Sequence, residues 1–157
     1  MRVLLQRVSR AEVRVAGDVV SSIAGGLLVF LGVTHGDDRA AADWLSDKVA
    51  GLRIFSDEAG KMNLSVEGTG GEILVVSQFT LYGDCRRGRR PGFEQAADPA
   101  LAEELYEYFM ERLAARGLRV QGGRFAAHME VDLVNDGPVT FWLQYPEVES
   151  QILKGRA

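Results

Sequence analysis

The chain has 157 residues, 46% of them apolar, and a formal net charge of −4. That length and balance suit one domain with a full hydrophobic core. They exclude a protein that grips long nucleic acid through a broad basic face, and no apolar run approaches the ~20 residues that cross a bilayer.

Met1 to Arg7 is too short and too charged for a secretory signal. The single cysteine, Cys85, excludes an internal disulfide and a cysteine-cluster metal site. The expected compartment is the cytoplasm.

Val3 to Val15 predicts a strand, and Ala16-Gly17-Asp18 a hairpin turn into Val19-Val20. Leu27 to Val33 predicts a buried strand. Asp37 or Asp38 can cap a helix running to about Gly51, with Ala41, Trp44, Leu45, Val49 and Leu52 on one face. Ser56 to Lys61 reads as a polar turn. Ile73 to Val76 is a second buried strand, entered from Gly68-Thr69-Gly70-Gly71. Asp98 as N-cap, Pro99 as first residue and Gly117 as terminator bound a second helix. Its core stripe is Leu101, Leu105, Tyr108, Phe109 and Leu113. Met129 to Leu133 and Val139 to Tyr145 alternate with period two and read as two strands joined across Asn135 to Pro138. The class is α+β, a mostly antiparallel sheet covered by two main helices. One domain spans residues 1–145. Residues 146–157 form a tail in which Glu147, Glu149, Lys154 and Arg156 suggest a solvated extension.

Chemistry concentrates where the strand at Ile73 ends. Ser77, Gln78 and Thr80 place two hydroxyls and an amide beside a buried run. Such groups are costly to bury without partners, so the strand end faces a cavity or a turn. A capping turn explains the same residues equally well. Asn135-Asp136-Gly137-Pro138 is by composition an ordinary turn.

Taken together, Ser77-Gln78-Phe79-Thr80-Leu81 and Asn135-Asp136-Gly137-Pro138-Val139-Thr140 resemble the two signature motifs of the D-aminoacyl-tRNA deacylases. Arg53 to Asp57, Gly60 to Leu64 and Gly123 to Ala127 follow the family pattern between them. The resemblance runs from Met1 to about Gln144. It implies a strongly twisted, barrel-like sheet and an ester hydrolase that frees D-amino acids from tRNA. It also implies a homodimer without metal or other cofactor. In it a cis Gly137-Pro138 peptide enters the partner's site and excludes L-amino acids with backbone atoms. Whether glycine mischarged on tRNA-Ala is also released stays open. The logic is physical: a selector that must serve many side chains has to read the α-carbon. Glycine permits close approach, and an X–Pro bond is held cis for only roughly 0.5–1 kcal/mol.

On this reading Ser77, Gln78, Phe79 and Thr80 carry the chemistry. Backbone N–H groups around Phe79 and Thr80 would hold the oxyanion. The attacking group is either Thr80 itself or a water aided by the ribose hydroxyl beside the ester. Phe79, Phe125 and Met129 could form a slot for the terminal adenine. Arg86, Arg87 and Arg89, in the run Arg86-Arg87-Gly88-Arg89-Arg90, would meet tRNA phosphates. A solvated loop and ordinary core packing are the plainer readings of those two groups. Two rivals stand beside the hydrolase: a non-catalytic module binding RNA ends or nucleotides, and a Ser-His-Asp esterase. The esterase is disfavoured, since the Gly-x-Ser-x-Gly elbow is absent and nothing links His35 or His128 to Ser77.

Overall fold

The computed structural model describes residues 1–146, so Glu147, Glu149, Lys154 and Arg156 lie outside the described residues. Everything hangs on one long strand, β1 (Arg2–Val15). Its residues Val3 and Leu5 are buried on the helix side, and Val8, Ala11 and Val13 are buried inside the sheet. β1 pairs antiparallel with β2 (Asp18–Ile23), with β3 (Gly26–Gly32) and with β8 (Glu130–Gln144). Ala16 and Gly17, at φ 52 and 87, make the two-residue turn into β2. Positive φ at both positions lets such a turn follow the twist of its strands.

The other half of the sheet is parallel: β3 pairs with β6 (Glu72–Ser77), and β6 with β7 (Arg119–Gly122). The main sheet is therefore mixed, with three antiparallel pairings centred on β1 and a parallel β3–β6–β7 block. The gap between β7 and β2 is spanned by Gln121. Its amide accepts from the Ser22 N–H at 3.2 Å and donates to the Ser22 carbonyl at 2.6 Å. A side chain thus substitutes for a missing ladder and nearly closes the sheet into a barrel.

Two clusters form the core, and β6 feeds both. Ile73 and Val75 face α1 (Arg39–Gly51) and α3 (Pro99–Ala114), meeting Leu45, Val49, Phe109 and Leu113. Leu74 and Val76 face inward against Val8, Ala11, Val13 and Leu28. A strand covered on both faces has no polar side, hence the unbroken Ile-Leu-Val-Val run. Asp38 caps α1, accepting from the Ala41 N–H at 3.0 Å. Asp98 holds the cap position of α3, but its side chain makes no capping bond. Leu105, Phe109 and Leu113 are fully buried, each contributing roughly 1.5–3 kcal/mol. Tyr106, absent from the predicted stripe, is buried beside them, and its hydroxyl donates to the Val75 carbonyl at 3.0 Å.

The structure corrects the expectation in one place and adds to it in two. Met129 to Leu133 and Val139 to Tyr145 do not form a hairpin; residues Glu130–Gln144 are one strand paired along β1. Ser56 to Lys61 turns between two short strands, β4 (Phe55–Ser56) and β5 (Met62–Leu64). A third helix, the single turn α2 (Val66–Thr69), precedes β6.

Candidate active site

The Gln78 N–H donates to the Leu31 carbonyl at 2.8 Å, extending the β6–β3 pairing beyond Ser77. The chain then winds into a 3-10 turn, Phe79–Tyr82. Gly32 makes this possible, because a Cβ there would sit 3.1 Å from both the Gln78 oxygen and the Leu81 Cβ. Arg2 locks the turn from outside. Its guanidinium lies 4.2 Å from the Tyr82 ring centroid and donates to the Leu81 carbonyl at 2.7 Å. Burial pushes the Tyr82 hydroxyl well above the usual tyrosine pKa, so this anchor stays neutral.

A cavity of about 590 Å³ opens at this strand end. Ser77, Gln78 and Phe79 form one wall and Phe125 to Met129 the other. Of the sequence-predicted residues, Ser77, Gln78, Phe79, Phe125 and Met129 therefore meet in one place. Ala126 bends the second wall at φ 57, a left-handed conformation that non-glycine residues rarely adopt. Thr80 does not line the cavity. It is exposed on the turn, where its hydroxyl accepts from the Gln78 amide. The first turn of a helix leaves N–H groups without intrahelical acceptors, and here those belong to Phe79 and Thr80.

His128, which no sequence feature tied to Ser77, lines the same cavity. Among the described residues no hydrogen bond joins it to Ser77 or Thr80, so no triad is assembled. His35 lies elsewhere, its Nε2 3.1 Å from the Glu94 carbonyl. No cluster of three or more metal-ligating side chains occurs among the described residues.

Gly137 and Pro138 occupy a different end of the sheet. Val8 faces Asn135 and Gln6 faces Thr140, so four residues of β8 bulge out opposite the single residue Arg7. The bulge is wired in place. Asn135 Oδ1 accepts from the Val139 N–H at 3.0 Å, and its amide donates to the Thr140 hydroxyl at 3.0 Å. Arg7 Nε donates to the Asp136 carbonyl at 3.1 Å, and Nη1 to the Ile54 carbonyl at 2.6 Å. Gly137 stands at φ 132, the Gly137–Pro138 peptide is cis, and both residues are exposed. Arg7 pairs with Leu27, whereas Ser77 pairs with Leu31. With four residues along the strand and three strand spacings across, the bulge lies on the order of 20 Å from the Ser77 of its own chain.

The arginine run forms a loop closed at its base. Asp84 and Gly92 exchange backbone hydrogen bonds of 2.8 and 2.9 Å. Arg86 grips Asp84 with Nη2 at 2.6 Å and Nε at 2.9 Å. That fork holds the Asp84 carboxyl at about 2, below its usual value. Arg87, Arg89 and Arg90 are exposed and form no ion pair among the described residues. Two residues that the sequence reading missed shape the site: Arg7 under the bulge, and Phe93, whose ring meets that of Phe79 edge-on at 5.0 Å. Nothing local marked Arg7 within a strand pattern. Phe93 carried a faint signal as a lone aromatic straight after a polar loop.

The barrel-like sheet, the motif at the end of β6 and the bulge in β8 together define a deacylase-type scaffold. Residues 4–144 match the model of the family described as D-Tyr-tRNA(Tyr) deacylase. A D-aminoacyl-tRNA deacylase of Symbiobacterium thermophilum is 64% identical over 89% of this chain and 93% of its own. One from Thermomicrobium roseum is 62% identical over 94% and 96%. Among solved structures, a c-Myc DNA unwinding element binding protein superposes with TM-score 0.88 at 39% identity, covering 94% of this chain and all of its own. A probable eukaryotic D-amino acid tRNA deacylase, at TM-score 0.79 and 20% identity, shares the fold. The chain belongs to the D-Tyr-tRNA(Tyr) deacylase family.

Proposed function

We propose that this protein hydrolyses the ester bond of D-aminoacyl-tRNA, releasing free D-amino acid and tRNA. The observation that carries this reading is the cavity at the end of β6. There Ser77, Gln78 and Phe79 face Phe125 and Met129 across a slot with apolar walls and a polar end. The terminal adenosine stacks between the aromatic and thioether side chains, and the ester lies toward Ser77 and Gln78. N–H groups of Phe79 and Thr80 stabilise the oxyanion. The Gln78–Thr80 hydrogen bond favours a positioning role for Thr80 over attack by Thr80, because among the described residues no base contacts its hydroxyl. Water, oriented by the ribose hydroxyl next to the ester, is then the nucleophile.

The protein works as a homodimer in this proposal. Gly137 and Pro138 are too far from their own Ser77 to select its substrate, and their exposure leaves them free to enter a partner's cavity. Arg87 and Arg89 meet phosphates of the acceptor end.

Matched D- and L-tyrosyl-tRNA test the activity: the D ester should be cleaved and the L ester spared. A protein that binds tRNA but cleaves neither is the end-binding module instead. Subunit mixing tests the dimer. A cavity variant is inactive, and a selector variant cleaves the L ester as well. On random reassociation of a two-fold dimer half of the selector variant's cavities face an intact selector, so its L-ester cleavage should halve while its D-ester cleavage stays. Unchanged L-ester cleavage, or a monomer by light scattering, would overturn the shared site.

A further inference from the structure

Two large apolar rings stand in solvent at one edge of the cavity. Phe79 is 55% and Phe93 39% exposed, whereas Phe125, which lines the same cavity, is partly buried against the core. The rings meet at 5.0 Å with their planes at 68°, so each fixes the other. Phe93 is also held by the backbone. It follows directly on Gly92, whose pairing with Asp84 closes the arginine loop. A Cβ at Gly83 would come within 3.2 Å of the Phe93 ring, so glycine there allows the ring to lie flat against the chain. The result is a prearranged aromatic edge between the cavity and a loop carrying unpaired arginines.

We infer that Phe93 is a stacking platform for the base next to the terminal adenosine, so that the protein recognises a dinucleotide end rather than a single nucleoside. This rests on the proposed deacylase reading. With the last nucleoside in the cavity and the phosphates drawn toward Arg87 and Arg89, the strand leaves across the Phe79–Phe93 edge. The next base is then the group nearest an exposed ring. Such stacking tolerates any base, because every base offers a π face. It adds affinity without touching the reacting ester.

The test compares two D-tyrosyl esters, of adenosine and of cytidylyl-adenosine, with wild type, Phe93→Ala and Phe93→Trp. Wild type should cleave the dinucleotide ester with kcat/KM about tenfold higher, in line with one base–aromatic stack. Phe93→Ala should erase most of that preference through KM, with a much smaller fall on the adenosine ester. Phe93→Trp should restore it. Equal losses on both esters would make Phe93 a structural wall and overturn the inference. So would a wild-type enzyme without preference, or one that cleaves intact tRNA but neither short ester. Failure to cleave D-tyrosyl-tRNA itself would instead remove the deacylase reading on which the inference stands.

Discussion

β6 and β8 are both interrupted, with opposite consequences. β6 stops inside the molecule, and its polar end turns toward a cavity enclosed by the same chain. β8 continues past its interruption and throws Asp136, Gly137 and Pro138 outward, held at their base by Asn135, Arg7 and the buried Val139. One break makes a pocket and the other a probe. A pocket needs a buried foundation, so its chemistry is tied to stability. A probe needs only a fixed shape, so it can be altered at less cost to the fold.

Glycine substitutions in the two regions should separate those cases most sharply. A Cβ at Gly26 would overlap the Glu72 carbonyl and come 2.7 Å from the Glu72 nitrogen. Both are backbone atoms of the β3–β6 pair and cannot swing aside. Gly26→Ala should remove several kcal/mol of a stability that is only about 5–15 kcal/mol for a domain. Urea unfolding would read this directly. An unchanged midpoint would mean that the β3–β6 pair, which carries Ser77 at its far end, is softer than its packing implies.

The next largest effect concerns the attacking group. Removing the ribose hydroxyl beside the ester should slow cleavage by about 10²–10³, comparable to losing one oxyanion donor. Thr80→Ala should keep substantial activity. An acyl group trapped on Thr80, with a dead Ala variant and a cleaved deoxy substrate, would reverse the assignment and return attention to His128.

At the probe, a Cβ on Gly137 would lie 2.7 Å from Val139 Cγ2 and 3.1 Å from Arg7 Nη2, at φ 132. Side-chain ends can yield, so Gly137→Ala should cost about 1–2 kcal/mol of stability. The ratio of D- to L-ester cleavage should fall much further. Unchanged kinetics with an unchanged ratio would end the idea of a backbone selector.

Much of this was legible from residue order. The apolar run at Ile73 announced a strand covered on both faces, and the Asp38 and Pro99 signals bounded both main helices. That Ser77 to Phe79 would meet Phe125 and Met129 around one cavity was legible only through the family pattern. The bulge was not legible, because Asn-Asp-Gly-Pro is also the composition of a hairpin turn. Only pairing with a third strand, β1, distinguishes the two. Arg7 and Gln121 were invisible for a related reason: each acts across an interface between segments far apart in sequence. Arg119 to Gly122 was too short and too mixed to show a period.

Alkaline titration should strain the pocket side of the comparison without any substitution. Burial raises the Tyr106 hydroxyl to about 12, and it holds the Val75 carbonyl just before the site. The unfolded chain loses this proton near 10. The contribution is therefore whole below pH 10 and declines between 10 and 12, by up to roughly 1.4 kcal/mol per pH unit. Tyr106→Phe should flatten that part of the stability profile. A profile identical to wild type would show that other groups govern alkaline unfolding.

The smallest effect belongs to the arginine loop that is proposed to meet tRNA phosphates. Arg86 is occupied by Asp84, so the free charge lies on Arg87, Arg89 and Arg90. Each phosphate neutralised contributes about 0.7–0.9 to the slope of log affinity against log salt. Replacing Arg87 and Arg89 with Ala should therefore flatten the slope for tRNA by about 1.5 and weaken binding several-fold at moderate salt. The chemical step on saturating substrate should stay nearly intact, since neither residue reaches the cavity. Arg86→Ala is the informative control. It releases Asp84, adding an unpaired negative charge where a cation stood, so it should weaken binding without reporting a phosphate contact of its own. If the double variant keeps the wild-type slope, the loop is a solvated surface and the acceptor end is held by the cavity edge alone.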